Sequence, residues 1–189
     1  GYSPEDIHAL WGHFNADYFL HHTPYEIRWH SELIMDTPES NLPLVAARTT
    51  EKGRAEIFIY ALEHDHMFSG IATTLNQLAL NIVDAQIMAT DNGYTLDSFK
   101  VLEEDGSTPE SEFRINEIVK YLEKYLKTNS IGNQIERTIP RANRYFATET
   151  IVRFEQLPGK DITVMNIIAA DRPGLLARIG RAFIENKIR

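Results

Sequence analysis

The residues best suited to chemistry lie in two short turns, each leading from an apolar run into a helical stripe. One is Asp171-Arg172-Pro173-Gly174-Leu175-Leu176. A helix start there offers unpaired N–H groups and a positive field, which suit the carboxylate of an amino acid. Gly174 would let such a ligand approach the backbone closely. On the loop alone, an ordinary tight turn capped by Asp171 is the competing reading. The other turn is Glu63-His64-Asp65-His66-Met67-Phe68. It has His66 where the first has glycine, which predicts a narrowed or closed pocket. His64 and His66 alternate along the chain, so in extended backbone they point to opposite sides and do not suit one metal ion. No metal site and no catalytic residue are expected. Glu103, Glu104 and Asp105 run into Gly106 and read as solvated turn acids rather than a converging carboxylate pair. His21, His22 and His30 read as polar contacts at a helix–linker junction.

Elements must position these turns. Ser3-Pro4-Glu5-Asp6 opens a helix, with a capping serine, proline at the first position and acids at the positive end of the dipole. Ile7, Leu10, Trp11 and Phe14 form its apolar stripe. Thr23 and Glu26 stand at capping-box spacing and start a shorter helix, roughly 24 to 35. After a loop over 36–43 the periodicity changes. Leu44–Arg48 and Ala55–Leu62 read as strands around Lys52-Gly53. Phe68 to Ala79 is helical, and Ile82–Thr90 and Tyr94–Leu102 flank the hairpin turn Asp91-Asn92-Gly93. Phe113 to Leu126 is an amphipathic helix. This order predicts an α+β, ferredoxin-like βαββαβ layer of two helices on a small sheet, with its fourth strand after residue 128. Residues 129–147 read as a basic linker, and Thr148–Glu155 and Ile162–Ala169 as further strands.

The pattern then repeats. At an offset of 108 residues Met67 meets Leu175, Phe68 meets Leu176, Ile71 meets Ile179 and Leu75 meets Phe183. That coincidence reads as an internal repeat, the alternative being two unrelated βα steps. The second unit reaches Arg189 just after its first helix, so further strands are expected from elsewhere.

Composition narrows the function classes. The chain has 189 residues, 43% hydrophobic and 24% charged, with 19 Lys+Arg against 27 Asp+Glu. A formal charge of −8 argues against nucleic acid or an anionic membrane as the main partner. The basic residues Arg172, Arg178, Arg181, Lys187 and Arg189 read first as a solvated helix face. The absence of cysteine excludes thiol catalysis and disulfide scaffolds. No apolar run approaches the ~18 residues of a membrane span. No leader is visible, and a cytoplasmic piece of a longer chain is expected, since the first residue is not Met.

The stretch Asp171 to Gly180 resembles the β1–α1 loop and helix start of ACT domains, small ligand-sensing modules of amino-acid metabolism. Leu80-Asn81-Ile82-Val83-Asp84-Ala85-Gln86-Ile87 and Asp91 to Leu102 are similar to the first ACT domain of the protein-PII uridylyltransferase/uridylyl-removing enzymes. Leu10-Trp11, Asp17-Tyr18-Phe19-Leu20, His22-Thr23-Pro24 and Trp29-His30 resemble the segment joining that family's HD hydrolase domain to its ACT pair. The resemblance implies a helical tail of the HD domain and linker over 1–40, an ACT domain over 41–128, a linker over 129–147 and an incomplete second ACT domain over 148–189. It implies bacterial nitrogen regulation, glutamine as ligand, PII as the partner of the parent enzyme, and Mg2+ or Mn2+ in the parent but no cofactor in this chain. It implies ligand contacts from Arg172, Pro173, Gly174, Leu175 and Leu176, from His64, Asp65, His66, Met67 and Phe68, and from Asn81, Ile82, Val83 and Asp84. His21, His22 and His30 could alternatively face the HD site of the whole enzyme. A module for ACT–ACT pairing or homo-oligomerisation without ligand is the second reading.

Overall fold

A computed structural model describes residues 1–50, 53–130, 149–159, 163–170 and 174–187. Three helices come first: α1 (Pro4–Gly12), α2 (Ala16–His21) and α3 (Pro24–Asp36). Their starts follow from the sequence. Ser3 with Asp6, and Thr23 with Glu26, close reciprocal capping boxes, and Asn15 caps α2. These side chains satisfy N–H groups that have no partner within the helix.

The first unit follows as β1 (Leu44–Thr50), β2 (Arg54–Leu62), α4 (Met67–Gln77), β3 (Leu80–Ala89), β4 (Tyr94–Glu103) and α5 (Glu112–Thr128). Its sheet is antiparallel throughout, in the order β1-β2-β4-β3. This is the expected α+β layering of a ferredoxin-like sheet, with one rearrangement. The edge beside β2 was expected to go to a strand after residue 128, and β1 occupies it instead. A tight turn at Gly53, φ 69°, joins β1 to β2. Closing so short a loop costs little chain entropy, so the adjacent strand takes the edge before a distant one. The expected linker lies, from residue 131 onward, outside the described residues.

Both faces of the sheet are covered. On one, Ile57, Ile59, Phe99 and Val101 meet Ile71 and Leu75 of α4 and Ile118, Leu122 and Tyr125 of α5. On the other, Phe58, Tyr60, Met88 and Leu96 meet Phe14 and Tyr18, with Ile27, Trp29 and Leu33 of α3 packed alongside. Every interior residue of β2 is therefore buried, as expected for a strand between two layers. The helical segment 1–36 forms a third layer on the sheet.

The second unit begins the same way, with β5 (Ile151–Gln156) paired antiparallel to β6 (Thr163–Ile168), then α6 (Leu175–Glu185). Helix α6 packs antiparallel on α4. Gly174 lies against Asn76, and Gly180 lies against Ser69, whose Cβ would be 2.9 Å from a Cβ at position 180. Gly180, Ala177, Ser69 and Ala72 are all buried, so small residues set the close approach of the two helices.

Candidate ligand site between the two units

The close approach of α4 and α6 leaves a cavity of about 120 Å³ where the start of α6 faces the start of β3. One water needs roughly 10–15 Å³ by the same measure, so the space suits a small solute rather than a single water. Its walls are Ala72 and Asn76 from α4, Leu80, Asn81, Ile82 and Val83 from β3, and Gly174, Leu175, Leu176 and Ala177 from α6. Neither unit builds it alone.

Three local features shape it. Gly174 opens α6 with φ 72° and no side-chain cap. The first hydrogen bond from the helix back to this position is Arg178 N–H to Gly174 C=O, so the amides of the preceding turn have no partner inside the helix. A Cβ on Gly174 would stand 3.1 Å from the Asn76 carboxamide, so glycine gives both the backbone angle and the space. The strand side has a bulge. The β3–β4 register shifts between Ile82 and Asp84, which leaves Val83 unpaired and turned toward the cavity wall. Asn81 donates weakly, at 3.4 Å, to the carbonyl of Glu103.

Chemically, the site offers amide donors at a helix start, two side-chain carboxamides and aliphatic walls. Among the described residues lining it, none carries a charged side chain. It therefore fits a small zwitterion of zero net charge, with its carboxylate toward α6 and its remaining polar groups toward Asn76 and Asn81.

Of the residues singled out in the sequence, Gly174, Leu175, Leu176, Asn81, Ile82 and Val83 come together here. Arg172 and Pro173 lie outside the described residues. Asp84 does not line the cavity, and its carboxylate meets Lys100 at 3.4 Å. His64, Asp65, His66, Met67 and Phe68 gather at the opposite end of α4 from Asn76. That helix has 11 residues, or about 16 Å at 1.5 Å per residue. Met67 is buried in the core and Phe68 packs against it. His66 opens α4 with φ 70°, the same backbone as Gly174. The His64 Nδ1 lies 3.0 Å from the carbonyl of Asp65. Among the described residues no three or more His, Asp or Glu converge as a metal site. Ala72, Asn76, Leu80 and Ala177 were not anticipated, because they enter only when the two units dock.

A second polar cluster lies between the helical layer and the sheet. His30 is fully buried, stacked on Phe58 at 3.9 Å, with Nδ1 2.9 Å from the Tyr18 hydroxyl. His22 is buried too, its Nε2 3.0 Å from the Ser98 hydroxyl. Both are the polar contacts expected at this junction, while His21 is exposed.

The family uridylyltransferase GlnD fifth domain matches residues 1–33, which make up α1, α2 and most of α3. Three bifunctional uridylyltransferase/uridylyl-removing enzymes are each 37% identical to the chain. The one from Vibrio cholerae aligns over 98% of this chain and 21% of its own length. That from Methylococcus capsulatus aligns over 100% and 22%, and that from Ectopseudomonas mendocina over 98% and 21%. Over nearly its whole length the chain is homologous to a segment of bifunctional uridylyltransferase/uridylyl-removing enzymes. It spans about a fifth of the length of these relatives. No solved structure matches it significantly. The part recognised as the family's fifth domain is thus the layer that covers the outer face of the ACT-like sheet. No helix among the described residues is long and apolar enough to cross a membrane.

Proposed function

We propose that this chain is the regulatory part of a bifunctional uridylyltransferase/uridylyl-removing enzyme of nitrogen control, and that its two units sense glutamine in the cavity between α6 and β3. The observation that carries this reading is the composition of that cavity. Helix-start amides from one unit face two carboxamides and a bulged strand from the other, with no charged side chain among the described lining residues. An amino-acid carboxylate suits the helix start, and a neutral carboxamide side chain suits Asn76 and Asn81. A second carboxylate, as in glutamate, would be desolvated against these groups with no cation among the described lining residues, which is costly.

Because both units contribute walls, a ligand here binds the docked arrangement of α4 and α6 better than a separated one. Such differential affinity is the requirement for regulation, since a ligand that binds two states equally shifts neither. Transfer of uridylyl groups to PII, their removal, and any Mg2+ or Mn2+ used for it are assigned to parts of the parent outside this chain. Titration calorimetry of the full-length protein with glutamine, glutamate and asparagine tests the reading. Saturable heat with glutamine and at least about tenfold weaker binding of glutamate, or 1.4 kcal/mol, is expected. Equal binding of glutamate would remove it.

A second reading, a pairing module, draws on exposed apolar residues on strands that have an edge without a partner strand among the described residues: Ile87 on β3, and Phe154 on β5, which is 67% exposed. Such edges can accept a strand from another molecule. Light scattering that finds a stable dimer indifferent to glutamine would favour it.

A further inference from the structure

Four residues at one level of the first sheet alternate in charge from edge to edge. Arg48 on β1 pairs with Glu56 on β2, Glu56 with Lys100 on β4, and Lys100 with Asp84 on β3. The two outer pairs are ion pairs, Arg48 to Glu56 at 2.7 Å and Lys100 to Asp84 at 3.4 Å, while Glu56 and Lys100 are neighbours by register. Helix α3 lies over it and contributes two residues one turn apart. Glu26 meets Lys100 at 3.1 Å, and His30 Nε2 stands 3.8 Å from Glu56 Oε1. Trp29, between them in sequence, stacks under the Arg48 guanidinium at 3.8 Å.

The His30–Glu56 contact is unusual. Both side chains are buried, at 0% and 1% exposure, and both facing atoms lack a hydrogen-bond partner. Buried polar atoms are ordinarily paired, and an unmade bond between two of them is costly. A shift of α3 by about 1 Å would bring the pair within hydrogen-bond distance. The junction thus has an open arrangement, as seen, and a closed one within reach. At the other end of the row, Asp84 directly follows the bulge residue Val83, which lines the cavity.

Resting on the reading of that cavity as a ligand site, we propose that the row Asp84–Lys100–Glu56–Arg48 couples it to the helical layer through Glu26 and His30. Occupancy fixes the bulge at Val83, Asp84 re-aims Lys100, Lys100 draws on Glu26, and α3 moves relative to Glu56. The physical warrant is the unmade His30–Glu56 contact, which a small shift of α3 would close, together with the ion pairs that tie α3 to the row.

Hydrogen exchange of peptides covering Pro24–Asp36, in the full-length protein with and without glutamine, reads this directly. In the wild type, glutamine changes the exchange rate of α3 by at least about threefold. In Lys100→Met, calorimetry finds glutamine affinity within about threefold of wild type, and the α3 response is lost. Glu26→Gln keeps the capping box, removes the ion pair, and gives the same loss should Lys100→Met fail to fold. An unchanged α3 response in a variant that still binds overturns the proposal, as does heat of binding in the wild type without any change in α3. Absence of glutamine heat in the wild type instead removes the sensor reading itself, and this coupling with it.

Discussion

His66 and Gly174 stand 108 positions apart, and each opens a helix with left-handed backbone, φ 70° and 72°. Neither helix start has a side-chain cap. The repeat therefore extends to the backbone angle at the loop. In one unit glycine adopts it freely, and in the other a histidine holds it against its preference.

Replacing His66 by glycine should relieve that conformation. The left-handed region costs a residue with a Cβ about 1–2 kcal/mol, and glycine loses about 0.5–1 kcal/mol in chain entropy. His66→Gly is expected to stabilise the protein by about 0.5–1 kcal/mol in urea unfolding. Gly174→Ala should do the reverse, and its Cβ would press on Asn76 at 3.1 Å. A loss of about 1–2 kcal/mol and at least tenfold weaker glutamine binding are expected.

Docking of the units rests on small residues. Gly180→Val would drive a side chain into Ser69 and hold α6 off α4. Glutamine binding should be lost, while the unfolding of the first unit stays within about 0.5 kcal/mol of wild type. Gly70→Ala acts elsewhere. Its Cβ would collide with the Tyr125 ring inside the first core, so a destabilisation of about 1–3 kcal/mol is expected in chemical unfolding.

Asp97 predicts a loss of stability toward alkaline pH. It is buried on the α4/α5 side of the sheet, bonded by the Thr95 hydroxyl. Burial pushes its carboxyl up to about 7, with the charge of Glu63 adding to the rise and the Thr95 and Met88 hydrogen bonds opposing it. The folded value lies above the unfolded one, so this contribution is complete below about pH 4 and is lost as pH rises through about 7. Relative to wild type, Asp97→Asn should gain up to about 1.4 kcal/mol per pH unit across that window. Parallel pH–stability curves would contradict this.

His30 predicts the opposite slope. Burial, then the charges of His22 and Arg48, hold its imidazole down to about 3. Its folded value lies below the unfolded 6.5, so the contribution is complete above about pH 6.5 and is lost as pH falls. His30→Gln should therefore retain relatively more stability than wild type between about pH 6 and 4, measured by thermal unfolding.

Much of the fold was legible because its signals are local. Ser3, Thr23 and Glu26 mark helix starts, and Asp91-Asn92-Gly93 marks the β3–β4 hairpin, all by side-chain chemistry acting within a few residues. The alternating sets Ile57, Ile59 and Phe58, Tyr60 are equally apolar, so β2 could be read as buried but not as covered by helices 1–36 on one side. The place of β1 at the sheet edge was not legible, because strand order is a matter of loop closure rather than of residue type. Half the cavity followed from the loop at Gly174 and from Asn81–Val83. Asn76 and Ala72 did not, since inside α4 they read as interior positions until α6 packs on them. The charge row was hidden for the same reason. Arg48, Glu56, Lys100 and Asp84 are scattered over 53 positions and meet only through strand register.

The central claim is that the docked pair of units binds glutamine between α6 and β3. It is tested most directly by titrating the full-length protein with glutamine in a calorimeter, beside Gly180→Val. Saturable heat in the wild type, absent from the variant, is the predicted result. No heat at millimolar glutamine, or equal heat in both proteins, would contradict it.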